Sequence, residues 1–136
     1  MFLRDAMWSC FKRKVTMAHI LVVDDSTTMR QMVCFTLTSV KHTVVEAENG
    51  VEALKQAQNH KFDLVIADVN MPEMNGIDLI RALRGILSYK FIPILMLTTE
   101  SHAEKKQEGK AAGATGWIVK PFNPEALLNV LGKVLA

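Results

Sequence analysis

Ile20-Leu21-Val22-Val23-Asp24-Asp25 is an apolar run that stops on two carboxylates, and Leu64-Val65-Ile66-Ala67-Asp68 repeats the form. Two more runs end on polar residues. Ile92 to Leu97 leads into Thr98-Thr99-Glu100, and Trp117-Ile118-Val119 leads into Lys120-Pro121. Runs this short and this apolar suit strands covered on both faces. Laid parallel, they bring their carboxyl ends to one sheet edge carrying Asp24, Asp25, Asp68, Thr98 and Lys120.

Helical periodicity fills the intervals. The first strand, about His19–Val23, is followed by Ser26-Thr27-Thr28, which can cap a helix at Thr28–Val40 with Met29, Met32, Val33, Leu37 and Val40 in phase. Strand Thr43–Glu46, the Asn49-Gly50 turn and helix Val51–Asn59 come next, with Val51, Leu54 and Ala57 in phase. After the third strand and a loop from Val69 to Gly76, Ile77–Leu87 reads as a helix with a stripe of Ile77, Ile80, Leu83 and Leu87. Ser101–Ala112 reads as a polar helix. Asn123-Pro124-Glu125 carries the cap, first-turn proline and acidic residue of a final helix start. Alternating βα units joined by right-handed crossovers predict a doubly wound sheet of five parallel strands with five helices. Ligands of such sheets sit beyond the carboxyl ends of the strands, where strand order reverses.

Composition narrows the classes. The chain has 136 residues, 49% apolar and 22% charged, as expected of one globular domain. The formal charge of +2 is unevenly placed: residues 1–17 carry +3 and the remainder −1. The body is nearly neutral, so no nucleic-acid partner is expected. No apolar run approaches the ~20 residues that span a bilayer, and no secretory signal is evident, so a cytoplasmic protein without a membrane partner is expected. Residues 1–16 differ from the rest and read as an N-terminal extension outside the core, with 17–136 as the domain. A basic-apolar arm touching a partner or membrane surface is the alternative for that extension. Cys10 and Cys34 form no metal pair, and the four histidines lack zinc-site spacing.

Three carboxylates together need a compensating cation. Lys120 supplies one charge. A hard divalent ion such as Mg²⁺, held by Asp25, Asp68 and the loop near Asn70, would supply more. A divalent ion, a lysine, a hydroxyl and a spare carboxylate suit phosphoryl transfer onto aspartate, with Asp68 as nucleophile and Thr98 donating to a phosphoryl oxygen. Taken singly, each residue has a plainer reading as a cap, turn or strand end. Their conjunction at the ends of different strands carries the argument.

Asp24-Asp25, Asp68 followed by Met71-Pro72 and Gly76, Thr98, and Lys120-Pro121-Phe122 together resemble the receiver domain of two-component response regulators, in particular the stand-alone, chemotaxis-type (CheY-like) regulators, over about residues 18–136. The resemblance implies strand order 2-1-3-4-5 and a phosphorylation-controlled switch that is not an enzyme on an external substrate. It implies Asp68 as phosphoacceptor, and Mg²⁺ held by Asp24, Asp25, Asp68 and the Asn70 carbonyl. Thr98 and Lys120 would engage the phosphoryl group, and Asn70 and Glu100 would tune dephosphorylation. The implied donor is a histidine kinase or phosphotransfer protein, with Met29, Arg30 and Val33 as candidates for kinase contact. The implied output is a downstream protein bound through the fourth helix, fifth strand and fifth helix, by a monomer or weak homodimer. Thr98 and an inward-turning aromatic, here Trp117, would form the switch.

Two positions depart from the family pattern. Trp117 is bulkier than the usual Tyr or Phe, and Thr99 stands where Ala or Ser is usual. Lys120-Pro121 matches a lysine–proline step that is cis in the family. Competing readings are a Mg²⁺-dependent phosphohydrolase with an aspartyl nucleophile, a pseudo-receiver that never takes phosphate, and a flavin-binding flavodoxin-like domain. The phosphohydrolase resembling haloacid dehalogenases would want a second Asp two residues after the nucleophile, where this chain has Val69-Asn70. The pseudo-receiver would lack one of the acidic or lysine residues. The flavin binder would face Asp24-Asp25 repelling its phosphate.

Overall fold

Strands that are apolar at every position need cover on both faces, and the helices supply it. The computed structural model describes residues 18–69, 71, 74–98, 103–120 and 123–135. In chain order these form β1 (His19–Val23), α1 (Thr27–Ser39), β2 (Thr43–Ala47), α2 (Gly50–Asn59), β3 (Leu64–Asp68) and α3 (Gly76–Arg84). A 3-10 turn at Leu87–Tyr89 follows, then β4 (Ile94–Thr98), α4 (Ala103–Ala112), β5 (Gly116–Val119) and α5 (Pro124–Leu135). The sheet runs β2-β1-β3-β4-β5, all pairs parallel. The chain steps outward from β1 to β2 and returns to β3, so the reversal of order falls between β1 and β3.

Successive side chains of each strand point to opposite faces, and they feed two separate cores. Leu21, Val23, Val65, Ala67, Ile94 and Met96 pack with Ala53, Ala57, Ile77, Ile80 and Leu83 of α2 and α3. Ile20, Val22, Leu64, Ile66, Leu95 and Leu97 pack with Val33 and Leu37 of α1 and Leu127 and Leu131 of α5. Each such branched side chain, buried whole, contributes about 1.5–3 kcal/mol.

Ser26 caps α1 as expected, whereas Asn49, expected only in a turn, and Asn75, expected in a loop, cap α2 and α3. Ser26 Oγ accepts from Met29 N at 3.3 Å, and Asn49 and Asn75 Oδ1 accept from Glu52 N and Asp78 N at 2.8 and 2.9 Å. Other expectations need correction. Helix α3 stops at Arg84, not Leu87: the Gly85 N–H closes onto Arg81 and Ala82 carbonyls, and Leu87 lies on the 3-10 turn, 86% exposed. In α2 the buried stripe is Gly50, Ala53 and Ala57, while Val51 faces outward. In α1, Met32 is exposed and Arg30 and Thr36 are buried beside Val33 and Leu37. β4 starts at Ile94, after Pro93, and not at Ile92; Asp68 and Thr98 are the last residues of β3 and β4 instead of the first loop residues.

Several polar side chains fasten the loops at the amino-terminal edge of the sheet. The Tyr89 hydroxyl lies 2.7 Å from the Ala57 carbonyl and 2.6 Å from that of His60, sharing its proton between them. Arg84 donates to the carbonyls of Gly113 (3.0 Å from Nε, 2.8 Å from Nη2), Tyr89 (2.9 Å) and Ile92 (2.7 Å), tying α3 to the end of α4. His42 is buried and its Nδ1 accepts from Ala18 N at 3.1 Å. Burial pushes the Cys34 thiol up to about 11, with Glu46 adding to the rise and Arg30 opposing it. Cys34 is therefore a packing residue and a poor nucleophile. Cys10 lies outside the described residues.

Two predictions follow from packing. A methyl group on Gly76 would run into the backbone carbonyl of Asp68. Gly76→Ala will therefore lower unfolding free energy by about 1–3 kcal/mol in a denaturant titration, although alanine is the better helix former. Burial lowers the His42 pKa below 6.5. The unfolded chain then binds the extra proton first, so this stabilisation is complete above the unfolded pKa and is lost as pH falls through the folded value. Between pH 7 and 5, unfolding free energy will fall less steeply in His42→Gln than in the parent.

Candidate functional site

Strand termination delivers each side chain to the carboxyl edge. Val23 pairs with Ala67 of β3, so Asp24 and Asp68 follow as neighbours across the point where strand order reverses. Asp24 is fully buried. Its Oδ1 accepts from Ser26 N at 2.9 Å, and its main-chain carbonyl accepts from Arg30 Nη1 at 2.7 Å. Arg30 is held in turn by Glu46, Nε to Oε1 at 2.8 Å. The position of Arg30, in phase with Val33 and Leu37, is the sequence signal that it faces the sheet.

Asp68 is also buried, and its Oδ1 lies 3.0 Å from Lys120 Nζ. The same ammonium is 3.5 Å from Asp24 Oδ2. The Lys120 amide donates to the Thr98 carbonyl at 2.7 Å, which fixes where β5 hands over to the lysine. Thr98 is buried at the end of β4, one residue beyond the Asp68–Leu97 pair. Asp25 is exposed at the rim. One carboxylate oxygen from each of Asp24, Asp25 and Asp68 lies within 4.8 Å of the others.

Among the described residues Lys120 thus pairs with Asp24 and Asp68, and Asp25 adds a third negative group nearby. Asp24 Oδ2 is buried and makes no hydrogen bond. A buried carboxylate oxygen without a hydrogen-bond donor is costly unless a cation compensates. Oxygen donors alone, with Asp25 exposed to solvent, suit Mg²⁺ better than a softer metal. The donor set therefore fits a magnesium ion held by Asp24, Asp25 and Asp68. Asn70, Thr99, Glu100 and Pro121 lie outside the described residues.

Trp117 sits on β5 with its indole 42% exposed, and Lys106 Nζ of α4 lies over the ring at 5.6 Å from the centroid. Sequence reasoning identified Trp117 but not its lysine, because a cation–π contact between a helix and a strand leaves no periodic signature. The three candidates on α1 for contact with a kinase fare unequally. Val33 is fully buried, and Arg30 is buried against Asp24 and Glu46, so neither is available to a partner. Met29 is partly buried; the exposed apolar residues of α1 are Met32 and Phe35.

Comparison with known proteins agrees with this geometry. Residues 20–132 match the response regulator receiver domain. The chemotaxis protein CheY homolog of Campylobacter jejuni is 44% identical over 118 residues, covering 85% of this chain and 91% of that protein. Chemotaxis protein CheY1 of Helicobacter pylori is 44% identical over 118 residues, covering 85% and 95%. The structure of chemotaxis protein CheY4 of Vibrio cholerae superposes with a TM-score of 0.83 at 58% identity, over 87% of this chain and 98% of that one. Sheet order, acidic edge and these matches have one common explanation: the chain belongs to the response regulator receiver domain family, among its CheY-type members.

Proposed function

We propose that the protein is a signalling switch that takes a phosphoryl group on Asp68 from a histidine kinase or phosphotransfer protein and thereby changes its affinity for a downstream protein. The observation that carries this reading is the Lys120 ammonium 3.0 Å from Asp68 Oδ1 and 3.5 Å from Asp24 Oδ2, at the edge where three carboxylates converge. CheY-type receivers are signalling switches, not enzymes on external substrates, and the absence of a general-acid Asp two residues after Asp68 supports the same view here.

In the transfer, a carboxylate oxygen of Asp68 attacks the phosphorus of the donor phosphohistidine. The O–P bond forms as the N–P bond breaks, and the departing imidazole keeps the pair of electrons and takes a proton from solvent. Asp24, Asp25 and Asp68 would hold Mg²⁺, with the carbonyl of Asn70 as a further ligand; when bound it neutralises charge on the phosphoryl oxygens. Lys120, already poised on Asp68, would move its ion pair to a phosphoryl oxygen. Thr98 would donate its hydroxyl to another, and Trp117 would turn inward behind it. This is a shift between two packings that the new charge biases. Reversal needs only water: it attacks phosphorus, releases inorganic phosphate and restores the Asp68 carboxylate. Asn70 and Glu100, flanking the site in sequence, would set that rate.

The output surface in this reading is α4, β5 and α5, with the half-exposed Trp117 within it. Residues 17–136 would form the working unit and 1–16 an extension outside it, which the family match over 20–132 supports. A cytoplasmic setting is proposed; among the described residues no helix is long and apolar enough to cross a membrane.

Two outcomes test the reading. With Mg²⁺ and acetyl phosphate or phosphoramidate, intact mass will rise by one phosphoryl group, and Asp68→Asn will gain none; equal labelling of that variant would move the acceptor elsewhere. Once the donor is removed, the phosphorylated protein in Mg²⁺ will decay over seconds to minutes when followed by phosphate release. Label persisting for many hours contradicts the assignment of a fast-cycling regulator.

A further inference from the structure

We propose that Lys106 latches Trp117 in its outward position and so sets how readily occupancy of the phosphoryl site turns the switch on. The proposal rests on the function just given and adds a regulator of that same site.

Helix α4 is loosely held. Among its described side chains none is fully buried; Ala112, partly buried, packs against the core, and Gly109 is buried. There the helix comes so near β4 that a methyl group on Gly109 would overlap Met96 Sδ. Its far end is clamped by Arg84 on the Gly113 carbonyl. Lys106 stands three residues before Gly109, on the same face of the helix. Its ammonium lies 5.6 Å from the Trp117 ring centroid, and among the described residues no carboxylate pairs with it. The ring is therefore the ammonium's partner, and this contact fastens the first half of α4 to β5.

The register connects that fastening to the site. Trp117 pairs with Met96, and Val119 with Thr98. Alternate residues of a strand share a face, so Met96 and Thr98 form one column and Trp117 stands beside it. An inward turn of the indole toward Thr98 must first withdraw the ring from the ammonium, which then returns to water. Tryptophan is the strongest cation–π partner among the aromatic side chains. The contact thus lowers the population of the turned-in arrangement, and ligand affinity at Asp68 falls by the same factor. An exposed cation–π pair is worth about a two- to five-fold change in such an equilibrium. Tryptophan in place of tyrosine or phenylalanine is what gives the lysine a surface broad enough to hold.

Beryllofluoride with Mg²⁺, a non-covalent mimic of the phosphoryl group, provides the test in the full chain carrying Trp8→Phe, which leaves Trp117 as its single tryptophan. Binding is followed by calorimetry and, independently, by Trp117 emission. Lys106→Met keeps an apolar stem over the indole without the charge, and Lys106→Gln removes the charge without adding apolar surface. Both will reach half-saturation at about two- to five-fold lower beryllofluoride, while Lys106→Arg, which restores a cation over the ring, stays near the parent value. Thermal melts of all four proteins establish that they are folded. An unchanged or higher half-saturation in both neutral variants, or an Arg variant that shifts as far as they do, overturns the latch while leaving the phosphoryl site intact. No calorimetric binding by the parent, or binding that survives Asp68→Asn, would instead overturn the receiver function and the latch with it.

Discussion

The structure depends on one lysine being shared among carboxylates that would otherwise drive the sheet edge apart. Lys120 reaches Asp68 at 3.0 Å and Asp24 at 3.5 Å while Asp25 adds a third negative group at the rim. Among the described residues one positive charge faces three negative ones. The residual imbalance, focused on a buried Asp24 oxygen without a hydrogen bond, suits the edge to a divalent cation. Stability and the proposed chemistry are coupled here: the feature that costs free energy in the resting protein is the one that would bind the cation.

That concentration of charge is tolerable because the rest of the edge is stiff. The strands delivering Asp24, Asp68 and Thr98 are buried on both faces, so their ends cannot drift apart without opening two cores. Arg30 holds the Asp24 carbonyl, Ser26 holds its carboxylate, and the close approach of Gly76 fits α3 against Asp68. On the far side of the sheet, Tyr89 and Arg84 close the loops through main-chain carbonyls. The acidic site is thus mounted on strand ends buried on both faces, an arrangement that suits the proposed phosphoryl transfer by positioning and electrostatics.

The lighter packing belongs to a different element. α4 presents polar side chains and meets the sheet through a glycine, a clamped carboxyl end and a lysine resting on an indole. Few buried apolar contacts make an element easy to displace. In the proposed function, a change of charge at Asp68 would be relayed to α4 while the sheet stays in place. This division between a stiff edge and a more lightly packed helix would be the physical basis of the proposed switch.

Much of this was legible in the chain itself. The apolar runs ending on Asp24-Asp25, Asp68, Thr98 and Lys120 announced a parallel sheet with one reactive edge, because a strand buried on both faces has no other place for a charge than its end. Ser26 marked a helix start through the backbone donor it satisfies, whereas Asn49 read only as a turn residue and its capping role came from the structure. Periodicity was less informative where packing is lopsided: Val51, Met32 and Leu87 share the phase of core residues yet lie at the surface, and Arg30 is buried because its charge finds Glu46 and a carbonyl. The sequence alone determined the residue types, their order and the edge on which they meet. Tertiary structure decided which oxygen Lys120 touches, which Asp24 oxygen makes no hydrogen bond, and that Lys106 covers Trp117. Those are distances between segments far apart in the chain, and only the packed sheet and helices set them.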